Sequence, residues 1–319
     1  MNKIDVSIIM PVYNNEGTLK RAVESVLNQT FEGGYELICV VDPCKDKSAQ
    51  ILLDFAKQYS DKVIVHVEEK RLGQALSRQK YISQANGAYI SFMDGDDELD
   101  KDYLKVMYET IIRKKADVVS SSFYAIYGEN NRKVVYPFRR NVTLTGKKIM
   151  SAYLMDASLR GFMWAKIYKK EILLSKPTIG LYVFSDMFED QALNGAVMAK
   201  CKKVVLISKP LYNYYKNIPS SAMTIKRKDR AIKHLAIFAL LRRFFEVIDN
   251  KDALSAFKSH LWRMRWSWKF DMKLDTKNGA NKEYKKEVLA TWKAIKNFKK
   301  ELKIDGESYS ELIERGIIS

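Results

Sequence analysis

Two hydrophobic periods alternate along the first 125 residues. "VSIIMPVY" (6–13) is a short, nearly continuous apolar run, which reads as a strand buried on both faces. Leu19, Ala22, Val23, Val26 and Leu27 then recur at helical spacing, and "YELICVV" reads as a second buried strand. The rhythm repeats with a helix on Ile51, Leu52, Phe55, Ala56 and Tyr59, the strand "KVIVHV", a helix from about Ala75 to Ala85, and the strand "AYISFM". A further helix places Leu104, Met107, Tyr108, Ile111 and Ile112 on one face, ahead of the strand-like "ADVVSSSFYAIY". Strands separated by helices predict an α/β fold with a mostly parallel, Rossmann-like sheet flanked by helices. Ligands of such sheets bind beyond the carboxyl ends of the strands, where "PVYN" and "DGDD" both fall.

Farther along, residues 134–144 predict a hairpin and "GKKIMSAYLM" a helix. After Thr224 the strand rhythm stops and basic helical segments follow. This places a boundary between 222 and 228, dividing the chain into a catalytic domain, 1–225, and a basic helical C-terminal region, 226–319, suited to acceptor, membrane-surface or oligomer contacts.

Composition changes the picture in two respects. With 47% hydrophobic residues in 319, the chain can fill a sizeable core; its first apolar run, interrupted by Pro11 and followed by polar residues, suits neither a signal peptide nor a membrane span, no other stretch approaches 18 apolar residues, and export is not expected. The three cysteines, Cys39, Cys44 and Cys201, are odd in number and lack metal-type pairing, so a reducing cytoplasm is expected. The formal charge is +17, and from Lys226 onward 23 basic residues face 13 acidic ones. A positive surface attracts nucleic acid, anionic lipid headgroups or phosphate-bearing substrates.

Against that surplus, "FMDGDDELD" packs Asp94, Asp96, Asp97, Glu98 and Asp100 into seven positions. Carboxylates so close repel one another unless a cation neutralises them, and oxygen-only ligands suit Mg²⁺ or Mn²⁺, which in turn can hold a diphosphate. The competing reading is an acidic helix start, which fits Asp100 just ahead of a helix beginning near Lys101 and Asp102 in its first turn. Asp94 and Asp96 instead follow an apolar strand directly. Glu98 stays unassigned.

The segments "VSIIMPVYNNEGTLKRAVESVLNQTFEGGYELICVVD", "RLGQALSRQKYISQANGAYISFMDGDD", "WAKIYKKEIL" and "FEDQAL" resemble, in order and spacing, the signatures of the inverting family 2 glycosyltransferases with the GT-A fold. The resemblance runs from about residue 4 to 224. It implies metal-dependent transfer of a hexosyl or N-acetylhexosaminyl group from a nucleotide-sugar, with Mn²⁺ or Mg²⁺. The implied acceptor is a hydroxyl of a cell-surface polysaccharide, a teichoic-type polymer or a lipid-linked glycan.

Residue by residue, the resemblance implies that Pro11, Val12 and Tyr13 line the nucleotide base; a Tyr at a strand end either stacks on a base or packs in the turn. Asp42 matches an acid that accepts from uracil N3–H, which points to a uridine or thymidine nucleotide, UDP being the first expectation, although Val41 replaces the preceding acid and Pro43-Cys44 the usual Gly-Ser. Arg78 is implied near the diphosphate or as a support of the acidic loop, against a plain solvated helix position. Asp94, Gly95 and Asp96 match the DxD motif, giving Asp94 a donor contact and Asp96 the metal, with Asp97 as the alternative ligand. Trp164 is implied as a sugar platform, against core packing, and Lys166 near donor or acceptor.

In "FEDQAL", Asp190 is the implied base that takes the acceptor's proton, with Glu189 as the alternative. Lys216, Ser221 and Thr224 are implied to close over the diphosphate, Lys216 standing where Arg is frequent.

The basic end offers two patterns. Ala231, Leu235, Phe238, Leu241, Phe245 and Ile248 recur at helical spacing and predict a face packed on the catalytic domain. Trp262 and Trp266, beside Arg263, Arg265 and Lys269, fit an interfacial membrane helix, a helix binding an anionic glycan, or a core-packed amphipathic helix; oligomer contact is a further use. A cytoplasmic enzyme at the inner face of the cell membrane is expected. A Mg²⁺-dependent phosphotransferase or phosphatase with a DxD nucleophile is the main competitor, but its motif would follow the first strand. A basic nucleic-acid-binding protein explains the charge yet leaves the acidic cluster and "FEDQAL" unused, so no nucleic-acid partner is expected.

Overall fold

The computed structural model describes residues 3–127, 132–136, 140–155, 159, 161–175, 189–216 and 228–297, with the backbone alone at 132–136, 189 and 247. The elements begin with β1 (Ile4–Val12), α1 (Leu19–Leu27), β2 (Gly34–Val41), α2 (Ser48–Gln58), β3 (Val63–Val67), α3 (Gln74–Ile82) and β4 (Tyr89–Phe92). They continue with β5 (Glu98–Leu99), α4 (Tyr103–Lys114), β6 (Val118–Tyr127), β7 (Arg132–Tyr136), β8 (Val142–Thr145), α5 (Lys147–Leu154), β9 (Lys166–Lys169) and α6 (Lys170–Leu174). Last come α7 (Glu189–Lys200), β10 (Lys203–Lys216), α8 (Arg230–Val247), α9 (Lys251–Ser259), α10 (Leu261–Lys277) and α11 (Lys282–Lys296).

Packing divides these elements into two units. The first comprises Met1–Leu144, Met163–Leu174 and Lys202–Thr224, the second Thr145–Phe162, Ser175–Cys201 and Ile225–Ser319.

One ten-stranded sheet carries the first unit, in the order β3-β2-β1-β4-β9-β6-β10-β5, with β7 on β6 and β8 on β10. The run β3-β2-β1-β4 is parallel, as the alternating rhythm predicts. Beyond it the sheet is mixed. β9 runs antiparallel between β4 and β6, and β10 lies parallel to β6 with β5 antiparallel at its edge. Among the described residues of the segment predicted as a hairpin, 134–144, the two strands pair with other neighbours: β7 with β6 in antiparallel sense, and β8 with β10. A two-residue period marks which side chains share a face and not which neighbour a strand finds.

β1 is central because almost every position is apolar; Val6, Ile8, Ile9, Met10 and Val12 are buried. Its one polar interior residue, Ser7, is satisfied. Ser7 Oγ donates to Glu36 Oε1 at 2.6 Å and accepts from the Gly87 N–H at 2.8 Å, while Asn86 donates twice to the Glu36 carboxylate. Buried polar groups tied in this way set register rather than cost stability. Gly87 is required there, since a Cβ would lie 2.5 Å from the Ser7 nitrogen.

The second unit is helical among its described residues. α8 is buried almost all round, through Leu235, Ile237, Phe238, Leu240, Leu241, Phe244 and Phe245, and packs against α7, α9, α10 and α11. A helix apolar on every side belongs at the centre of its layer. Its first turn is capped from afar: Asp275 on α10 accepts from the N–H groups of Arg230 and Ala231 and from the Tyr284 hydroxyl. Arg242, buried in the same helix, donates to the Ala294 and Ile295 carbonyls at the end of α11. Trp262 and Trp266 are not part of this core. The tryptophans of the region that pack inward are Trp268 and Trp292, with ring centroids 5.8 Å apart. Among the described residues, no helix is long and apolar enough to cross a membrane.

Candidate active site

The parallel pairing of β1 with β2 and β4 brings three strand ends together. Met93 N–H donates to the Ile9 carbonyl and Asp42 N–H to the Val12 carbonyl, so Pro11–Tyr13, Asp42 and Asp94–Asp97 emerge side by side at the carboxyl edge.

Tyr13, partly exposed, carries the Arg71 guanidinium 4.2 Å from its ring centroid. Asp42 is buried, and its two carboxylate oxygens accept the Leu72 and Gly73 N–H groups at 2.9 Å each. It therefore pins the loop that opens α3. Cys44 Sγ accepts from Asn14 N–H and donates to the Asp42 carbonyl, so the thiol itself ties this loop together; burial pushes its pKa up.

The acidic loop is the centre of the arrangement. Asp94, Asp96 and Asp97 each offer a carboxylate oxygen, and these oxygens all lie within 4.8 Å of one another. Burial, then the neighbouring Asp94, raises Asp96 to about 6. Asp97, fully buried, is raised well above the usual carboxylate range by burial and by Asp96 and Asp94, in spite of hydrogen bonds from Tyr215 N–H and the Tyr212 hydroxyl at 2.9 and 2.7 Å. Such a set has more negative charge than its surroundings neutralise, and three hard oxygens so close fit a divalent cation. Arg78, the one expected cationic support, donates to Asp94 Oδ1 at 2.6 Å from a wholly buried position on α3.

Three groups hold the loop that the sequence pattern did not single out. Arg21 on α1 donates to the Asp96 carbonyl at 2.7 Å, pairs with Glu98 at 3.2 Å, and lies 3.7 Å over the Tyr215 ring. The Tyr215 hydroxyl donates to Glu98, which answers the open question of Glu98: its carboxylate is committed to structure. Tyr212 and Tyr215 come from β10, which also pairs β5, so a strand distant in sequence clamps the acidic loop. The signal available was "YNYYK", whose alternation puts Tyr212 and Tyr215 on opposite faces of β10. Asp100 does not cap α4. It accepts from the Asp102 N–H, and the helix starts at Tyr103, while Asp102 binds Lys209 and Thr30.

Trp164 is 6% exposed, its ring stacked on Tyr212 and Tyr214 at 4.7 and 5.0 Å and edge-on to Phe123. Lys166 is fully buried, with its Nζ 3.5 Å from the Trp164 carbonyl. Lys216 Nζ donates to the Tyr127 hydroxyl at 3.0 Å. Ser221 and Thr224 lie outside the described residues. In the second unit, Asp190 sits half-buried in the first turn of α7, and Glu189 opens the same helix. Next to them, the Gln191 carbonyl accepts the Tyr153 hydroxyl.

Comparison with known proteins identifies the family and the fold. The family model described as glycosyl transferase family 2 matches residues 7–175. The cholesterol galactosyltransferase of Borreliella burgdorferi is 28% identical over 70% of this chain and 64% of its own length. The poly(ribitol-phosphate) beta-glucosyltransferase of Bacillus spizizenii is 26% identical over 82% of this chain and 43% of its own. The chain thus spans less than two thirds of the length of these curated relatives. The crystal structure of S. aureus TarS 1-349 in complex with UDP-GlcNAc superposes with a TM-score of 0.58 at 18% identity, covering 95% of each chain, which establishes a shared GT-A fold. The chain belongs to glycosyl transferase family 2.

Proposed function

We propose that this chain transfers a sugar, with inversion, from a UDP-sugar to a hydroxyl of a teichoic-type polymer, a cell-surface polysaccharide or a lipid-linked glycan. The observation that carries the reading is the convergence of Asp94, Asp96 and Asp97 at the carboxyl edge of the sheet in a family 2 chain. The donor assignment is supported by a protein of like fold seen with UDP-GlcNAc, and the acceptor class by a relative named for poly(ribitol-phosphate).

In this reading residues 1–225 form the catalytic domain and 226–319 a region for acceptor, membrane-surface or oligomer contacts. Pro11, Val12 and Tyr13 border the base. Asp42 accepts uracil N3–H, which remains feasible because a carboxylate has about four lone-pair sites and the loop occupies two of them. Asp96, with Asp94 or Asp97, holds Mn²⁺ or Mg²⁺, and such an ion supplies charge neutralisation for the leaving diphosphate. Arg78 keeps Asp94 oriented. Asp190 takes the proton of the acceptor hydroxyl as it attacks the anomeric carbon, with Glu189 as the second candidate. Trp164, Lys166, Lys216, Ser221 and Thr224 serve the acceptor or the diphosphate.

Incubating the full chain with a panel of UDP-hexoses and UDP-N-acetylhexosamines, and with poly(ribitol-phosphate) or a lipid-linked glycan, tests the reading. A β-linked product from an α-linked donor, lost on chelation, is expected. Release of the sugar to water alone, or transfer undiminished by chelator, would overturn it.

A further inference from the structure

The α10 helix lies in the region left above to acceptor, membrane-surface or oligomer contacts, and one of its faces has the chemistry to choose among them. Trp262, Trp266 and Phe270 recur every four residues, which lines them along one helix face, and they are 56%, 67% and 64% exposed. Three large apolar side chains in an exposed row differ from the single apolar residues scattered over any soluble surface. The same outward side holds Arg265, Lys269, Lys273 and Lys277, exposed or half-exposed and without an ion pair among the described residues. The two carboxylates of α10 point the other way. Asp271 is buried against His234 and Arg230, and Asp275 is buried under the first turn of α8. Every charge on the exposed face is therefore positive.

We propose that this face of α10 docks on an anionic lipid surface, with the helix lying in the plane of the interface. Indole and phenyl rings settle at the boundary of headgroups and acyl chains, while flanking Lys and Arg meet lipid phosphates. A second copy of the chain is disfavoured as the occupant, because a two-fold contact through this face would set cations against cations. A soluble polyanion would reward the cations and leave the aromatic row in water.

Flotation of the full chain with phosphatidylcholine vesicles, with and without phosphatidylglycerol, is the test. Binding to the phosphatidylglycerol vesicles and none to pure phosphatidylcholine is expected. Replacing Trp262, Trp266 and Phe270 by Ala should lower partitioning by at least about tenfold. Lys269→Gln with Lys273→Gln should lower it about 25-fold, at about fivefold per cation. Unchanged circular dichroism and melting temperature verify the fold of each variant, and the exposed Gln pair carries the test should the aromatic variant melt early.

Equal binding to both vesicle types, or full binding by the Gln pair, would overturn the proposal. So would a change from larger to smaller species in analytical ultracentrifugation on removing the aromatic row, which would assign the face to a second copy. None of these outcomes depends on the transfer reading, since nucleotide binding by the same variants is measured separately and should be unchanged.

Discussion

The Arg78 guanidinium donates to the Asp94 carboxylate across 2.6 Å, from a position wholly out of contact with water. Removing the arginine would leave Asp94 beside Asp96 and Asp97 with its closest cation gone. Arg78→Met is therefore expected to destabilise the chelated protein by about 3 kcal/mol in urea denaturation, the low end for breaking a buried pair because Asp94 keeps some contact with solvent. Adding Asp94→Asn should recover part of the loss. A double variant no more stable than Arg78→Met would show that the guanidinium acts through packing alone.

The raised acids give a pH dependence of definite sign. A free Asp titrates near about 3.9, whereas Asp96 is raised to about 6 and Asp97 is raised too, in both cases by burial first and carboxylate neighbours next. Above the free value the folded state holds more protons than the unfolded state, so the contribution of these groups to stability falls as pH rises; the Asp96 part of that cost is complete above about pH 6, and Asp97, raised further, extends it to higher pH. Thermal melts in chelator should show this component stabilising as pH drops from 7 toward 5. Asp96→Asn should raise the melting temperature at pH 7 and flatten the trend. Mn²⁺ affinity should run in the opposite sense, rising with pH over the same range, because the ion displaces the protons.

Arg21, Glu98 and Tyr215 form one network, since Arg21 touches both partners and the partners touch each other. A double-mutant cycle of Arg21→Met and Tyr215→Phe should give a coupling of about 0.5–3 kcal/mol. Additivity within about 0.3 kcal/mol would reduce the cluster to independent contacts.

The acceptor side makes a separate prediction. Asp190→Asn should leave UDP binding unchanged and lower turnover by about 10²–10⁴. Glu189→Gln should leave turnover within the same order as the parent chain. The reverse pattern would move the base to Glu189.

Much of the first half of the fold was legible because its strands are buried on both faces: an apolar run such as that of β1 has few alternatives, and the helices between strands force parallel pairing. The second half was not. β9 is "KIYK", where Lys166 is itself buried, so charge and burial disagree, and nothing in a four-residue period tells the strand to run antiparallel between β4 and β6. The acidic cluster was legible from charge density alone, but its supports were not. Arg21 reads as a solvated helix residue until the fold brings it to Glu98, and the clamp on Asp97 comes from more than a hundred residues away. Trp262 and Trp266 were visible as a pair, whereas their exposure depended on which face of α10 would pack on α8 and meet Trp292 and Tyr284 of α11.

The central claim is that Asp94, Asp96 and Asp97 build a cation-dependent site for a uridine diphosphate sugar. Calorimetric titration of UDP-sugars into the full chain, with Mn²⁺ and with chelator, and again with Asp96→Asn, tests it most directly. At least one UDP-sugar should bind with Mn²⁺ present, with binding weakened tenfold or more by chelation or by the substitution, about 1.4 kcal/mol or more. Binding of equal strength with chelator, or the absence of binding by every UDP-sugar in the presence of Mn²⁺, would contradict the account.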